Sequence, residues 1–296
     1  TLAESPYVVT GNVLINAGVA LTIEPGVMVL FNAGKALQVD GTLISRGADA
    51  DRITFTSSKL TPAPGDWGNI FFSDSSVDAS FDAAGKYTGG SILEYTNVEY
   101  GGGIQTGENP GMIMLYRAHP YINSAVARYS ARSGISAIDL MSDIQIRNSI
   151  VSNNLSGVYL NAYSHNQTAT ITKCIIRANN GFGILSLMGY DQITENIISH
   201  NSGCGVDNNN GWSLPTISHN IITHNYQSGL CTGSAIVTGN SIVNNKALDA
   251  PAYTNITGYY NDIEYNTIKG NSATGPSPTS IVKMVTTLSF KFNNIF

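Results

Sequence analysis

The chain has 296 residues, 12% of them charged, and a formal net charge of -5. That charged share is about half the usual one, and the 15 Lys and Arg residues form no basic stripe; a nucleic-acid partner is excluded and polyanionic substrates are disfavoured. The longest apolar runs, at 27–31 and 112–116, fall far short of the roughly 20 residues of a membrane-spanning helix.

The chain opens at Thr1 with neither Met nor a basic and apolar leader, as expected of a mature secreted or cell-surface protein. Residues 5–13 (SPYVVTGNV), 21–27 (LTIEPGV), 65–72 (GDWGNIFF) and 90–95 (GSILEY) are short segments rich in β-branched and aromatic residues and broken by Gly, Pro and Asn. They predict strands. An inserted loop, 73–90, carries Asp74, Asp78 and Asp82 at every fourth position. Calcium is one reading, but the spacing is not that of an EF-hand and a solvated insertion is the plainer one; no cofactor is expected.

From residue 97 to the end a phrase recurs, N-x-I-x-x-N: 148–153 (NSIVSN), 196–201 (NIISHN), 220–225 (NIITHN), 240–245 (NSIVNN) and 266–271 (NTIKGN), with CIIRAN at 174–179 and weaker echoes starting at Asn97, Asn123 and Asn293. First positions lie 20 to 27 residues apart, one turn of a three-strand coil. Four phrases are followed at constant spacing by Gly157-Val158, Gly183-Ile184, Gly205-Val206 and Gly229-Leu230. The third-position Ile is expected to point inward, the Asn residues to hydrogen-bond from rung to rung as a ladder, and the Gly to take a positive φ at a bend. The expectation is one all-β domain over 1–296, a right-handed parallel β-helix solenoid of about 12 rungs. Residues 1–96 form its opening rungs and 97–296 its regular ones.

These phrases and opening segments together resemble the right-handed parallel β-helix, or pectin-lyase-like, superfamily, and within it the secreted prokaryotic surface proteins. The resemblance covers nearly the whole chain and implies architecture and export. Sugar-cleaving members carry N-T-D, D-D, G-H-G and R-x-K stations that do not occur here, and superfamily members serve many functions.

The remaining chemistry is sparse. His119 and His165 have no evident partners, and Arg147, Lys173 and Arg177 read as solvated cations. The sequons at Asn154, Asn166 and Asn255 are open to glycosylation. Alignment on the repeated Gly stacks Tyr163, Tyr190 and Trp212 into an aromatic column that suits a glycan, or that packs loops on the solenoid wall. Asp191 and Asp207 are the best carboxylate pair for glycoside chemistry, with isolated surface acids as the plainer reading. Glu195 falls beside His219 and His200 beside His224, a weak metal patch or a product of duplication. Cys174 sits at a ladder position, while Cys204 and Cys231 are offset by three positions, too far for bridging; all three are expected to be small buried residues.

The last segment, 290–296 (FKFNNIF), stops in mid-rung with no polar cap, so the solenoid ends are open to pairing, including end to end with another copy. Two functions are consistent with these features. One is a non-catalytic extracellular structural or adhesive protein, as a filament subunit or a glycan-binding surface module. The other is a polysaccharide lyase, glycoside hydrolase or epimerase acting on an extracellular glycan.

Overall fold

The computed structural model describes residues 1–103, 110–141, 143–162, 167–187, 189–208, 214–248, 256–258, 260–274, 283–284 and 287–295. Runs of two to six β-rich residues between turn residues make short strands, and these stack into three parallel sheets. Sheet A has 12 strands, from Tyr7–Val9 to Asn294–Ile295. Sheet B has 11, from Val13–Ile15 to Lys283–Met284, and sheet C has 11, from Ala20–Ile23 to Thr287–Lys291. The chain visits A, B and C in turn, so each rung adds one strand to each sheet, as a right-handed β-helix requires. The inserted loop forms a small antiparallel hairpin, Ser80–Phe81 with Tyr87–Gly89.

The pairing register explains the core. In sheet A one inward column runs from Phe55 through Val98, Ala127, Val151, Ile176, Ile198, Ile222 and Ile242 to Ile268, and all nine are buried. Sheet C supplies a matching column from Ile122 through Ile146, Ile171, Ile193 and Ile217 to Val237 and Ile263. Each fully buried Ile contributes about 2–3 kcal/mol of transfer free energy.

Each phrase builds two Asn ladders, one at either end of its sheet A strand. The first runs Asn196, Asn220, Asn240, Asn266, Asn293, and the second Asn154, Asn179, Asn201, Asn225, Asn245, Asn271. Each Oδ1 accepts from the main-chain N–H of the Asn one rung earlier, and in most rungs from its Nδ2 as well, at 2.8–3.1 Å; Nδ2 also donates to a main-chain carbonyl, as from Asn196 to Ile171. The left-handed residue is the one before each ladder Asn, for example Glu195 (φ 57), His200 (φ 56), His219 (φ 56) and His224 (φ 55).

Three expectations need correction. Asn148 is itself the left-handed residue (φ 52), and Ser149 holds the ladder position, so that rung is one residue out of the expected register and Ile150 faces outward. Gly157, Gly183, Gly205 and Gly229 do not have positive φ. They are required by close approach: a Cβ on Gly183 would sit 2.4 Å from the Gly205 carbonyl oxygen and 2.8 Å from Ile198 Cγ2.

The third concerns the cysteines. Cys204 and Cys231 form a disulfide, with Cα atoms 6.2 Å apart. The offset of three is real, because Cys231 pairs with Asp207 and Cys204 with Ser228. In a straight ladder that offset would hold the Cα atoms about 11 Å apart; at 6.2 Å the two strands depart from that straight geometry here. Cys174 is the buried free thiol, and burial pushes its pKa up to about 12.

Candidate functional site

The corner from sheet C to sheet A is two residues long in every rung from Ser124-Ala125 to Phe292-Asn293. All the later variation in rung length lies on the borders of sheet B. Connections entering it range from 3 residues, after Ile150–Ser152, to 13, after Thr267–Lys269; connections leaving it range from 1 residue, after Ser228–Thr232, to 7, after Ser156–Asn161 and Cys204–Asn208. Connecting segments of variable length on a constant scaffold are where binding groups collect.

The outer face of sheet B differs from the others as well. Ile197 and Ile221, facing out from sheet A, are 42% and 46% exposed, whereas on sheet B Met114, Ile138 and Tyr159 are 4%, 5% and 3% exposed and cluster with Phe71, Leu185 and Leu187. The register lines up Phe71, Met114, Ser136, Tyr159, Leu185, Asp207 and Cys231 in one column. Asn161 donates to Tyr159 Oη at 3.2 Å. On the border toward sheet C, Arg117 pairs with Asp139 at 2.5 Å and lies 3.8 Å from Asp74.

His119, also on that border, has partners. Its Nδ1 is 3.0 Å from Asp78 Oδ2, its main-chain N–H donates to Asp78 Oδ1, and its Nε2 accepts from the Met141 N–H. These bonds fix the tautomer with the proton on Nδ1. Burial opposes ionisation of Asp78, but the hydrogen bonds from His119 outweigh it and hold the carboxyl below its ordinary range. Asp82 accepts from the Ala84 and Lys86 N–H groups, so all three acids of the inserted loop are engaged in separate contacts.

Asp191 lies at the corner from sheet B to sheet C, 1% exposed. Its carboxyl accepts from the Ala169 N–H at 2.8 Å and from Ser186 Oγ at 2.6 Å, and burial raises its pKa to about 6 despite both bonds. Asp207 is only partly buried and belongs to the outer column of sheet B. Its carboxylate lies within 4.8 Å of the sulfur atoms of Cys204 and Cys231, which are engaged in the disulfide.

The histidine patch divides. Glu195 and His219 occupy the corner from C to A, and Glu195 pairs with Lys173 at 3.5 Å. His200 and His224 occupy the corner from A to B, with rings parallel to within 3° and centroids 5.1 Å apart. The strands Ile197–Ser199 and Ile221–Thr223 separate the two pairs.

Of the aromatic column, Tyr190 is 43% exposed; Tyr163 and Trp212 lie outside the described residues, as do His165, Asn166 and Asn255. All three aromatic residues fall in sequence between a sheet B strand and the next sheet C strand. Asn154 is a buried member of the second ladder, which keeps its amide from a glycosyl donor in the folded chain. Sequence reasoning missed Met114, Tyr159, Asn161 and the Arg117–Asp139 pair. The signal for Tyr159 was there: it stands two residues after Gly157, as Asp207 stands after Gly205.

A family model described as a pectate-lyase like beta helix domain matches residues 1–143, and one described as a right handed beta helix region matches 156–277. No curated protein matches the chain. Among solved structures, a point mutant of the periplasmic alginate epimerase AlgG is similar with a TM-score of 0.57 and 13% identity, over 98% of this chain and 78% of that one. The AlgE6 A-module, a mannuronan C-5 epimerase of Azotobacter vinelandii, gives 0.42 at 13% identity, over 95% and 88% of the two chains. A DFA-IIIase from Arthrobacter chlorophenolicus A6 gives 0.35 at 10%, over 95% and 73%. Fold and repeat define a parallel β-solenoid. The chain belongs to the right-handed parallel β-helix superfamily, and at these identities the likeness to solved structures is one of fold.

Proposed function

We propose that the protein is an exported β-helix module that binds an extended glycan along the outer face of sheet B. One observation carries the reading: later rung-length variation borders this face, and outward-facing Met114, Tyr159 and Asn161 at its centre are buried, with the partly buried Asp207 in the same column as Tyr159. Apolar and aromatic surface interrupted by a few hydroxyl, amide and carboxylate groups suits sugar rings. The similarity to an alginate epimerase supports a polymeric sugar ligand, and the Cys204–Cys231 disulfide supports an oxidising compartment outside the cytoplasm.

Isothermal titration with mannuronate, guluronate, galacturonate, xylan and β-glucan oligomers tests this. One class should saturate, and Tyr190→Ala and Trp212→Ala should each weaken it about tenfold, the loss of one sugar-stacking face. Absence of saturable binding across the panel, or unchanged affinity in both variants, overturns the reading. The partly buried position of Asp207 on the same face favours catalysis as a second reading. Product analysis of the same mixtures would then show lyase, hydrolase or epimerase turnover that Asp207→Asn abolishes.

A further inference from the structure

We propose that the outer face of sheet C carries an oxyanion site, centred on Arg147, that takes a carboxylate or sulfate group. A shallow pocket of about 300 Å³ there is lined by Arg147, Asn148, Thr170, Thr172, Lys173, Thr194 and Glu195. Register builds it: Arg147 pairs with Thr172, Thr172 with Thr194, and Gln145 with Thr170, so side chains at these positions leave the same face on successive rungs. Lys173, directly after Thr172, enters the left-handed region (φ 56).

The second observation is an unsatisfied donor. Arg147 Nε is buried and has no hydrogen-bond partner, whereas Arg46, Arg117 and Arg128 each hold a carboxylate at 2.9 Å or closer. A buried guanidinium N–H left unpaired is costly, and an anion in this pocket would satisfy it. Thr194 Oγ1 accepts from Ser218 and keeps its own proton to donate. Lys173 is tied to Glu195, so Arg147 is the one uncompensated charge of the pocket, which matches a monoanion. The planar fork of Arg suits carboxylate and sulfate oxygens, and the volume is at the small end of ligand sites.

This site is on a different face from the glycan surface of sheet B and stands or falls separately. The test is ¹⁵N NMR titration of the whole chain with sodium sulfate, sodium glucuronate and glucose at constant ionic strength. Amides of Thr170, Thr172 and Thr194 should shift saturably with sulfate, with glucuronate or with both, at millimolar Kd, and not with glucose. A response to sulfate alone identifies an inorganic anion, and a response to glucuronate identifies the sugar-borne acid. Arg147→Gln should weaken binding at least tenfold and Thr172→Val about threefold, while Arg177→Gln on sheet A should leave it unchanged. Should Arg147→Gln lose spectral dispersion, Thr172→Val, which keeps every charge, decides. Linear, non-saturating shifts, or equal affinity in the variant that decides and in Arg177→Gln, would overturn the proposal.

Discussion

Asp191→Asn should stabilise the protein, and only above the acid range. The Asp191 carboxyl is 1% exposed and its pKa is raised from 3.8 to about 6, chiefly by burial. Between those values the folded chain binds a proton that the unfolded chain has released, so stability falls as pH rises from about 4 to 6 and then levels off. A shift of about two units corresponds to about 3 kcal/mol. Asn is isosteric and neutral. Its Oδ1 still accepts from the Ala169 N–H, and its Nδ2 donates to Ser186 Oγ, so neither contact is left open. Urea melts of both proteins from pH 3.5 to 8 should coincide at the acid end and diverge through pH 4–6, with the variant ahead by about 3 kcal/mol at pH 8. A difference that does not change with pH would refute the reasoning, as would a variant less stable at pH 8. The same variant bears on catalysis: a carboxyl with both oxygens engaged inside the wall is a structural group, and any glycan turnover should survive its replacement.

Asn220→Ala removes the Oδ1 that serves both Asn196 groups and the Nδ2 bonds to the Ile193 carbonyl and to Asn240; thermal denaturation should show a loss of about 4 kcal/mol at roughly 1 kcal/mol per bond. Gly183→Ala should cost several kcal/mol or prevent folding, because the added Cβ meets backbone at 2.4 Å, while Gly11→Ala, with nothing within 4 Å, should leave the melting temperature unchanged. Cys231→Ser opens a disulfide of sequence separation 27 and should cost about 3–4 kcal/mol on the loop-entropy model, with wild type falling to the same level in reductant.

The fold was legible because the repeat phrase records two spatial facts at once: an inward Ile, and buried amides at both ends of a three-residue strand. It was legible only where Asn fills the ladder. In earlier rungs the first ladder position is taken by Thr96, Ala125, Ser149 and Cys174, and Asn also occurs at the left-handed position, as at Asn148. Sequence alone does not separate an Asn chosen for its amide from an Asn chosen for its tolerance of positive φ, hence the slipped register. The disulfide was misjudged for a geometric reason, since linear spacing measures distance along a straight strand and the Cα atoms are in fact 6.2 Å apart. The partner of His119 lies 41 residues earlier in an insertion, outside any periodic pattern.

The distribution of constraint around the coil bears on where function resides. At the corner from C to A, the buried first ladder and its left-handed neighbour allow no change of length, because one added residue would break the Oδ1 contact to the rung on either side. The second ladder constrains only the start of the passage from A to B. Beyond Asn179, Asn201 and Asn225 the repeated Gly follows at a constant interval, and the longer passages into sheet B fall in other rungs. Segments of varied length therefore accumulate on both sides of one face without disturbing the core. That leaves sheet B as the surface on which new chemistry can be added at least cost in stability, and sheets A and C as surfaces joined by a corner of fixed length. A site on sheet C has to be made from side-chain identity alone, as Arg147, Lys173 and the threonines are, and a site on sheet B from side chains and loop length together.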